Sequence, residues 1–306
     1  MSASTGPILV SAAVLSDVGL VRTNNEDNYL IADLTAQIVT PEPAVLNHTV
    51  GVNGSMFLVA DGMGGANAGE VASQMAVELV TEEVFRELTE SRRPPARHNF
   101  LGILKRAIEN ANLAILQESR KRSDRKGMGT TLTAAALHDG NIYFAQLGDS
   151  RAYLARSGSI AQMTRDQTLI AQLVASGSIT PEEAKVHPQR NVILQALGVQ
   201  NHIDIAFSFA DLKRGDWVVL CSDGLSGKVA AEEVRQLLEQ GPDARDGCER
   251  LIALARERGG EDNITAIVIR FDGQGLPLPK EGEAPDYQKL QINSQARWRF
   301  WPWRRN

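Results

Sequence analysis

Short apolar runs, most of them closed within a few residues by glycine or aspartate, recur along the chain: ILVSAAVL (8–15), MFLVA (56–60), TLTAAAL (131–137), NIYFAQL (141–147), HIDIAFSF (202–209), WVVLCS (217–222) and ITAIVIRF (264–271). Runs of this length bounded by turn formers predict buried strands. Two long stretches carry apolar residues at helical spacing, 68–90 (Val71, Met75, Leu79) and 99–122 (Ile103, Ala107, Ala111). Pro94 and Pro95 interrupt them, which predicts an antiparallel helix pair. A second pair is expected at 231–240 and 243–258, on either side of Gly241 and Pro242. Strands in blocks with helix pairs between them, and no strict strand–helix alternation, point to a layered α+β or sandwich-plus-helices domain. The stretch 35–55, with prolines, glycines and little periodicity, reads as a loop between early strands, and no internal repeat is present.

Composition narrows the class. Apolar residues make up 43% and charged residues 23% of the 306, which disfavours a collagen, a coiled coil, a disordered chain and a disulfide scaffold. The net charge of −5 supplies no positive field for nucleic acid. Cys221 and Cys248 lack the spacing of a zinc site or a disulfide framework, so two free thiols in a reducing, cytoplasmic setting are expected. PILVSAAVL (7–15) is too short to cross a bilayer and has no basic residue before it, so it reads as a first strand.

The chemistry lies in the acids. Asp61 follows MFLVA, Asp149 follows NIYFAQLG, Asp223 follows WVVLCS, Asp262 precedes ITAIVI, and NNED stands at 24–27. Any single Asp-Gly pair is usually just a turn, but four acids at strand ends, two of them followed by Gly62 and Gly224, can share a cleft. Two carboxylates about 4 Å apart repel by roughly 4 kcal/mol at an effective dielectric near 20, so a converging set needs cations or raised pKa values. All-oxygen ligands select Mg²⁺ or Mn²⁺. Two such ions about 3.5–4 Å apart can activate water and neutralise a phosphate, which makes a phosphate ester the natural substrate. Arg22, just before NNED, is the candidate guanidinium for its oxygens.

SDVGLVRTNNED (16–27), VADGMGGANAGEVAS (59–73), GMGTT (127–131), LGDSRAYL (147–154), HPQRNVILQALG (187–198), GDWVVLCSDGL (215–225) and GGEDNIT (259–265) resemble, in order, the motifs of metal-dependent PP2C-type serine/threonine phosphatases of the bacterial type. The resemblance spans roughly residues 11–272. It implies a four-layer α-β-β-α sandwich of two mainly antiparallel sheets flanked by helix pairs, a phosphatase domain over 1–272 with a flap at roughly 156–190, and a tail over 273–306. It implies two Mn²⁺ or Mg²⁺ ions, with Asp61 bridging them and the Gly62 carbonyl on the first. Asp223 and Asp262 match ligands of the second, Glu26 and Asp27 match acids acting through metal-bound water, and Asp149 matches a ligand of a third, weaker ion. Arg22 matches the phosphate clamp, so that Asp61, Asp27 and Arg22 form the catalytic set. The reaction implied is hydrolysis of phosphoserine and phosphothreonine in proteins by direct attack of a metal-bridged water, opposing a cognate bacterial Ser/Thr kinase, in a monomer.

The chain departs from the family in places. Met63 stands where eukaryotic members carry a histidine general acid, Gln167 where histidine is frequent, and Gln195 where arginine is frequent. His187, beside Pro188, reads as a packing or capping residue. Cys221 sits inside an apolar strand without the phosphate loop of a cysteine phosphatase, so it reads as core. Two competing readings are weaker. A catalytically dead module would have lost metal carboxylates, and none is missing. A phosphodiesterase or nuclease gains nothing from an acidic surface. Residues 275–306 carry six bases and three acids, and the last ten hold four arginines and three tryptophans, a composition suited to a membrane surface or a partner.

Overall fold

The computed structural model describes residues 6–40, 45–64, 68–91 and 94–290. The chain enters along β1 (Leu9–Asp17) and continues through β2 (Asp27–Asp33), β3 (Ile38–Val39), β4 (Val45–Thr49) and β5 (Ser55–Met63). The helices α1 (Ala68–Glu90) and α2 (Arg97–Lys121) follow, then β6 (Gly129–Thr130), β7 (Leu132–His138), β8 (Asn141–Leu147), β9 (Arg151–Arg156) and β10 (Ser159–Gln162). Two short helices, α3 (Leu169–Ala175) and α4 (Pro181–Val186), lead to β11 (Ala206–Asp211) and β12 (Trp217–Cys221). The chain then forms α5 (Asp223–Ser226), α6 (Ala231–Gln240), α7 (Ala244–Glu257), β13 (Ile264–Asp272) and β14 (Gln288–Leu290).

One sheet runs β10-β9-β12-β13-β1-β4 and the other β14-β11-β8-β7-β5-β2-β3, with β6 beside β5. All their ladders are antiparallel. Side chains alternate between the two faces of a strand, and here both faces are covered. On β5, Met56, Leu58 and Ala60 face α1 and α2, while Phe57 and Val59 face the other sheet. On β13, Ile267, Ile269 and Phe271 join that same inter-sheet layer, and Ala266 and Val268 face α6 and α7. The four-layer α-β-β-α sandwich expected from the sequence is therefore present, and double burial explains why its central strands read as continuous apolar runs.

Several elements differ from expectation. The loop expected over 35–55 contains β3 and β4, and β4 extends the first sheet beside β1. β10 lies within the range expected for the flap but is hairpinned to β9. Residues 273–290 run over the body: Leu276 is buried in the inter-sheet core and β14 covers the edge of β11, pairing Leu290 with Phe207. The arginine- and tryptophan-rich end falls in 291–306, outside the described residues.

A buried ion pair ties this framework. Arg156 on β9 donates to both Asp216 carboxylate oxygens, at 2.8 and 2.7 Å, and to the Asp211 carbonyl at 2.8 Å. Removing one partner of such a pair leaves a bare buried charge, a loss of about 3–5 kcal/mol. Arg156→Ala is expected to lower unfolding stability by about that amount in urea, whereas Arg156→Met combined with Asp216→Leu recovers most of it.

Candidate metal centre

Strand parity builds the site. The residues of β5 that face the opposite sheet, Phe57 and Val59, are continued on the same face by Asp61. On β2 the same face carries Ile31, Tyr29 and then Asp27, which stands directly opposite Asp61 in the ladder. Ser222 continues Val218 and Leu220 beyond β12, Thr265 continues Ile269 and Ile267 on β13, and Gln146 continues Ile142 and Phe144 on β8. The inter-sheet layer thus turns from apolar to polar at one end, without any change of register.

Each acid is held from its backbone outward. The Asp61 amide donates to Thr131 Oγ1 at 3.0 Å, and its carbonyl accepts from the Thr131 amide and from Thr130 Oγ1, both at 2.9 Å. The Gly62 amide donates to the Glu26 carbonyl at 3.1 Å. A Cβ on Gly62 would stand 2.3 Å from the Gly69 carbonyl oxygen, so only glycine lets β5 run this close to the first turn of α1. One Asp27 oxygen accepts from Ser222 Oγ and Thr265 Oγ1, each at 2.7 Å, while the other is buried without a partner. Asp223 opens α5 directly after β12. Asp262 accepts from Arg22 at 2.8 Å. Asp149, after β8, also keeps one buried oxygen without a partner.

The electrostatics are those of crowded acids. Burial, more than the neighbouring charges, pushes the Asp27 and Asp149 carboxyls up to about 7. Burial also raises Asp61 well above the ordinary carboxylate range, and Asp27, Asp223, Asp149 and Asp262 add to the shift. Asp223 is raised by burial and by Asp262, against a hydrogen bond with Asp61 that lowers it. Glu26 is raised by burial, and Arg22 partly offsets this.

Asp27, Asp61, Asp149, Asp223 and Asp262 are thus neighbours, with Gly62 buried beside Asp61 and with Glu26 and Arg22 at the rim. Among the described residues, no three His, Cys, Asp or Glu side chains are gathered closely enough to hold an ion as they stand. Asp262 is turned to Arg22, and one oxygen of Asp27 is turned to two hydroxyls. The site nonetheless fits a divalent ion: it is acidic, all-oxygen, and has two buried carboxylate oxygens that nothing else satisfies.

Sequence reasoning missed the residues that fasten the rim. Asn263 accepts from the Glu26 amide at 2.9 Å and donates to the Val18 and Asn24 carbonyls at 3.0 and 2.9 Å, pinning the segment that carries Arg22 and Glu26. Ser222 and Thr265 were readable only as the next inward positions on apolar strands. His187 ends α4, where its Nδ1 accepts from the Gln189 amide at 3.1 Å.

Residues 44–267 match the family model described as protein phosphatase 2C. A serine/threonine phosphatase stp of Listeria monocytogenes is 33% identical over 257 residues, which cover 84% of this chain and 94% of the relative. The serine/threonine protein phosphatase PstP of Mycobacterium tuberculosis is 34% identical over 293 residues, 94% of this chain but 51% of the relative, so the chain spans about half the length of that protein. A crystal structure of the PstP catalytic domain in complex with two manganese ions superposes with a TM-score of 0.70 at 34% identity, covering 87% of this chain and 99% of that one.

Asp27 and Asp149, raised from 3.8 to about 7, bind more protons in the folded state than in the unfolded state between those values. Metal-free protein should therefore lose stability as pH rises from about 4 through 7, and Asp61, raised in the same direction, adds to that loss. Added Mn²⁺ should raise the melting temperature more at pH 8 than at pH 5; thermal melts across that range, with and without the ion, check both statements.

Proposed function

The chain belongs to the protein phosphatase 2C family, and from that premise we propose that it hydrolyses phosphoserine and phosphothreonine in proteins. The observation that carries the reading is the Asp27–Asp61 pair, opposed across one ladder at the polar end of the inter-sheet layer, with Asp149, Asp223 and Asp262 around it.

In this reading Asp61, the Gly62 carbonyl, Asp223 and Asp262 hold two divalent cations, Glu26 and Asp27 act through bound water, and Asp149 serves a third ion. Manganese is supported by the PstP catalytic domain, whose structure holds two such ions, and magnesium suits the same oxygen donors. A bound pair would lower the pKa of water from 15.7 towards about 7 and neutralise phosphoryl charge. The protein's own part is orientation. With one Asp27 oxygen fixed by Ser222 and Thr265, the other, buried and without a protein partner, is left to accept a hydrogen bond from a bound water. Arg22 is about half exposed and its partner Asp262 is 39% exposed, so their pairing is worth at most about 1 kcal/mol. A charge-assisted bond to a phosphoryl oxygen is worth about 1.5–3 kcal/mol, so an arriving phosphate takes Arg22 from Asp262.

The substrate class implies a Ser/Thr kinase as the opposing activity. The two buried free thiols support a reducing compartment. Among the described residues no helix is long and apolar enough to cross a membrane. The arginines and tryptophans of the last ten residues support contact with an anionic membrane surface or a partner.

Assays with p-nitrophenyl phosphate and a phosphothreonine peptide test the proposal. With Mn²⁺ both should turn over, EDTA should abolish turnover, and Asp223→Asn should cost at least about 100-fold in kcat. Turnover that survives chelation would overturn the metal mechanism. Arg22→Ala is expected to lower kcat/KM for the peptide by about 10–100-fold, the worth of one charge-assisted phosphate contact.

A further inference from the structure

We propose that Gln167, at the base of the flap, is a positioning residue that fixes the turn carrying Asp149. The inference rests on the reading of Asp149 as an ion ligand. Asp149 follows Gly148, whose φ of +95° lies in the left-handed region. A Cβ on Gly148 would stand 2.6 Å from Thr131 Cγ2, so no side chain there can stiffen the turn. Its rigidity comes from outside. The Gly148 amide donates to Gln167 Oε1 at 3.0 Å, and the Gly148 carbonyl accepts from the Gln167 amide at 2.8 Å. Gln167 thereby holds both polar groups of the one peptide residue that aims Asp149. From the other side, Gln146 Nε2 donates to the Gly148 and Ser150 carbonyls at 3.0 and 2.7 Å.

Gln167 is itself anchored on two walls. Its Nε2 donates to the Asp204 carbonyl at 2.8 Å, and its carbonyl accepts from the Leu194 amide at 2.8 Å. Its neighbours are tied down as well. Asp166 receives Arg151 Nε at 3.0 Å and Arg151 Nη2 at 2.6 Å, and the Arg165 guanidinium lies 4.9 Å from the centre of the Tyr287 ring in the C-terminal segment. With its turn clamped, Asp149 points a buried oxygen that no protein group satisfies. Such an oxygen is useful to an ion only if its position is fixed, and residues that orient a ligand from behind are typically worth about 10–100-fold in metal affinity.

Calorimetric titration of the full chain with Mn²⁺ alone, together with amide hydrogen exchange at Gly148, tests this. Asp149→Asn identifies the binding event that depends on Asp149. Gln167→Met, of similar length but without acceptor or donor, should weaken that event about 10–100-fold and speed Gly148 exchange at least about tenfold, leaving the other events within about twofold. Gln172→Met, on the same cleft of about 690 Å³, should match the wild type in both. Should Gln167→Met not fold, Gln167→Asn, one methylene too short to reach Gly148, is held to the same criteria. If Asp149→Asn changes the titration and the Gln167 variant does not, or if the variant weakens every event alike, the positioning role is wrong while the reading of Asp149 stands. If the Asp149→Asn titration superposes on the wild type, the reading of Asp149 fails and the inference falls with it.

Discussion

Carboxylates sharing a cleft of low dielectric repel one another, and that repulsion sets the terms for the rest of this molecule. A single pair at about 4 Å costs roughly 4 kcal/mol at an effective dielectric near 20, comparable to a large part of a domain's net stability. Asp27 and Asp61 face each other across a ladder, and Asp149, Asp223 and Asp262 add to the field. Such a set survives only where the backbone beneath it cannot relax. The sandwich meets that condition by placing both aspartates on strands whose central residues, Leu30, Ile31 and Ala32 on β2 and Met56 to Ala60 on β5, are apolar and buried.

The same repulsion accounts for the way the side chains stand. All of these acids but Asp149 have taken a nearby compensation: Asp262 a guanidinium, Asp27 two hydroxyls, and Asp61 and Asp223 a hydrogen bond with each other. The compensations differ in strength. The exposed Arg22–Asp262 pair is weak and exchangeable, whereas the Ser222 and Thr265 hydroxyls are buried and fixed in a network that includes the Thr265 amide. A cleft built this way keeps one wall rigid and leaves the Arg22–Asp262 side exchangeable.

What could be read in the sequence follows from burial. β5, β7, β8, β12 and β13 are covered on both faces and appear as unbroken apolar runs, so their positions were legible, as were all four long helices. β2 and β9 were not. In DNYLIAD the apolar core is only four residues between acids, and RAYLAR is bracketed by arginines, one of which is buried only because Asp216 meets it. β3 and β4 sit at the margins of their sheets, with half-exposed patterns that composition cannot separate from a loop. At the site, the aspartates were legible from their places at strand ends. Asn263, Ser222 and Thr265 were not, because an asparagine or a hydroxyl beside a strand has many uses, and only the register of β2, β12 and β13 makes these converge on Glu26 and Asp27.

The segment after β13 shows how composition and contact can diverge. Its prolines, glycines and charges read as a tail, because no periodic apolar face exists to bury. It docks instead through single residues: Leu276 in the inter-sheet core, the Glu283 carboxylate at 3.3 Å from Lys213 Nζ, and three residues of β14 on β11. An uncovered β11 would present a row of unpaired backbone groups, an invitation to pairing with another chain. Covering that edge with its own chain leaves Tyr287 against Arg165, two residues before Gln167. Protection of the sheet edge and fixation of the segment beneath Asp149 are therefore one packing solution, and a chain lacking residues 273–290 would have to solve both in another way.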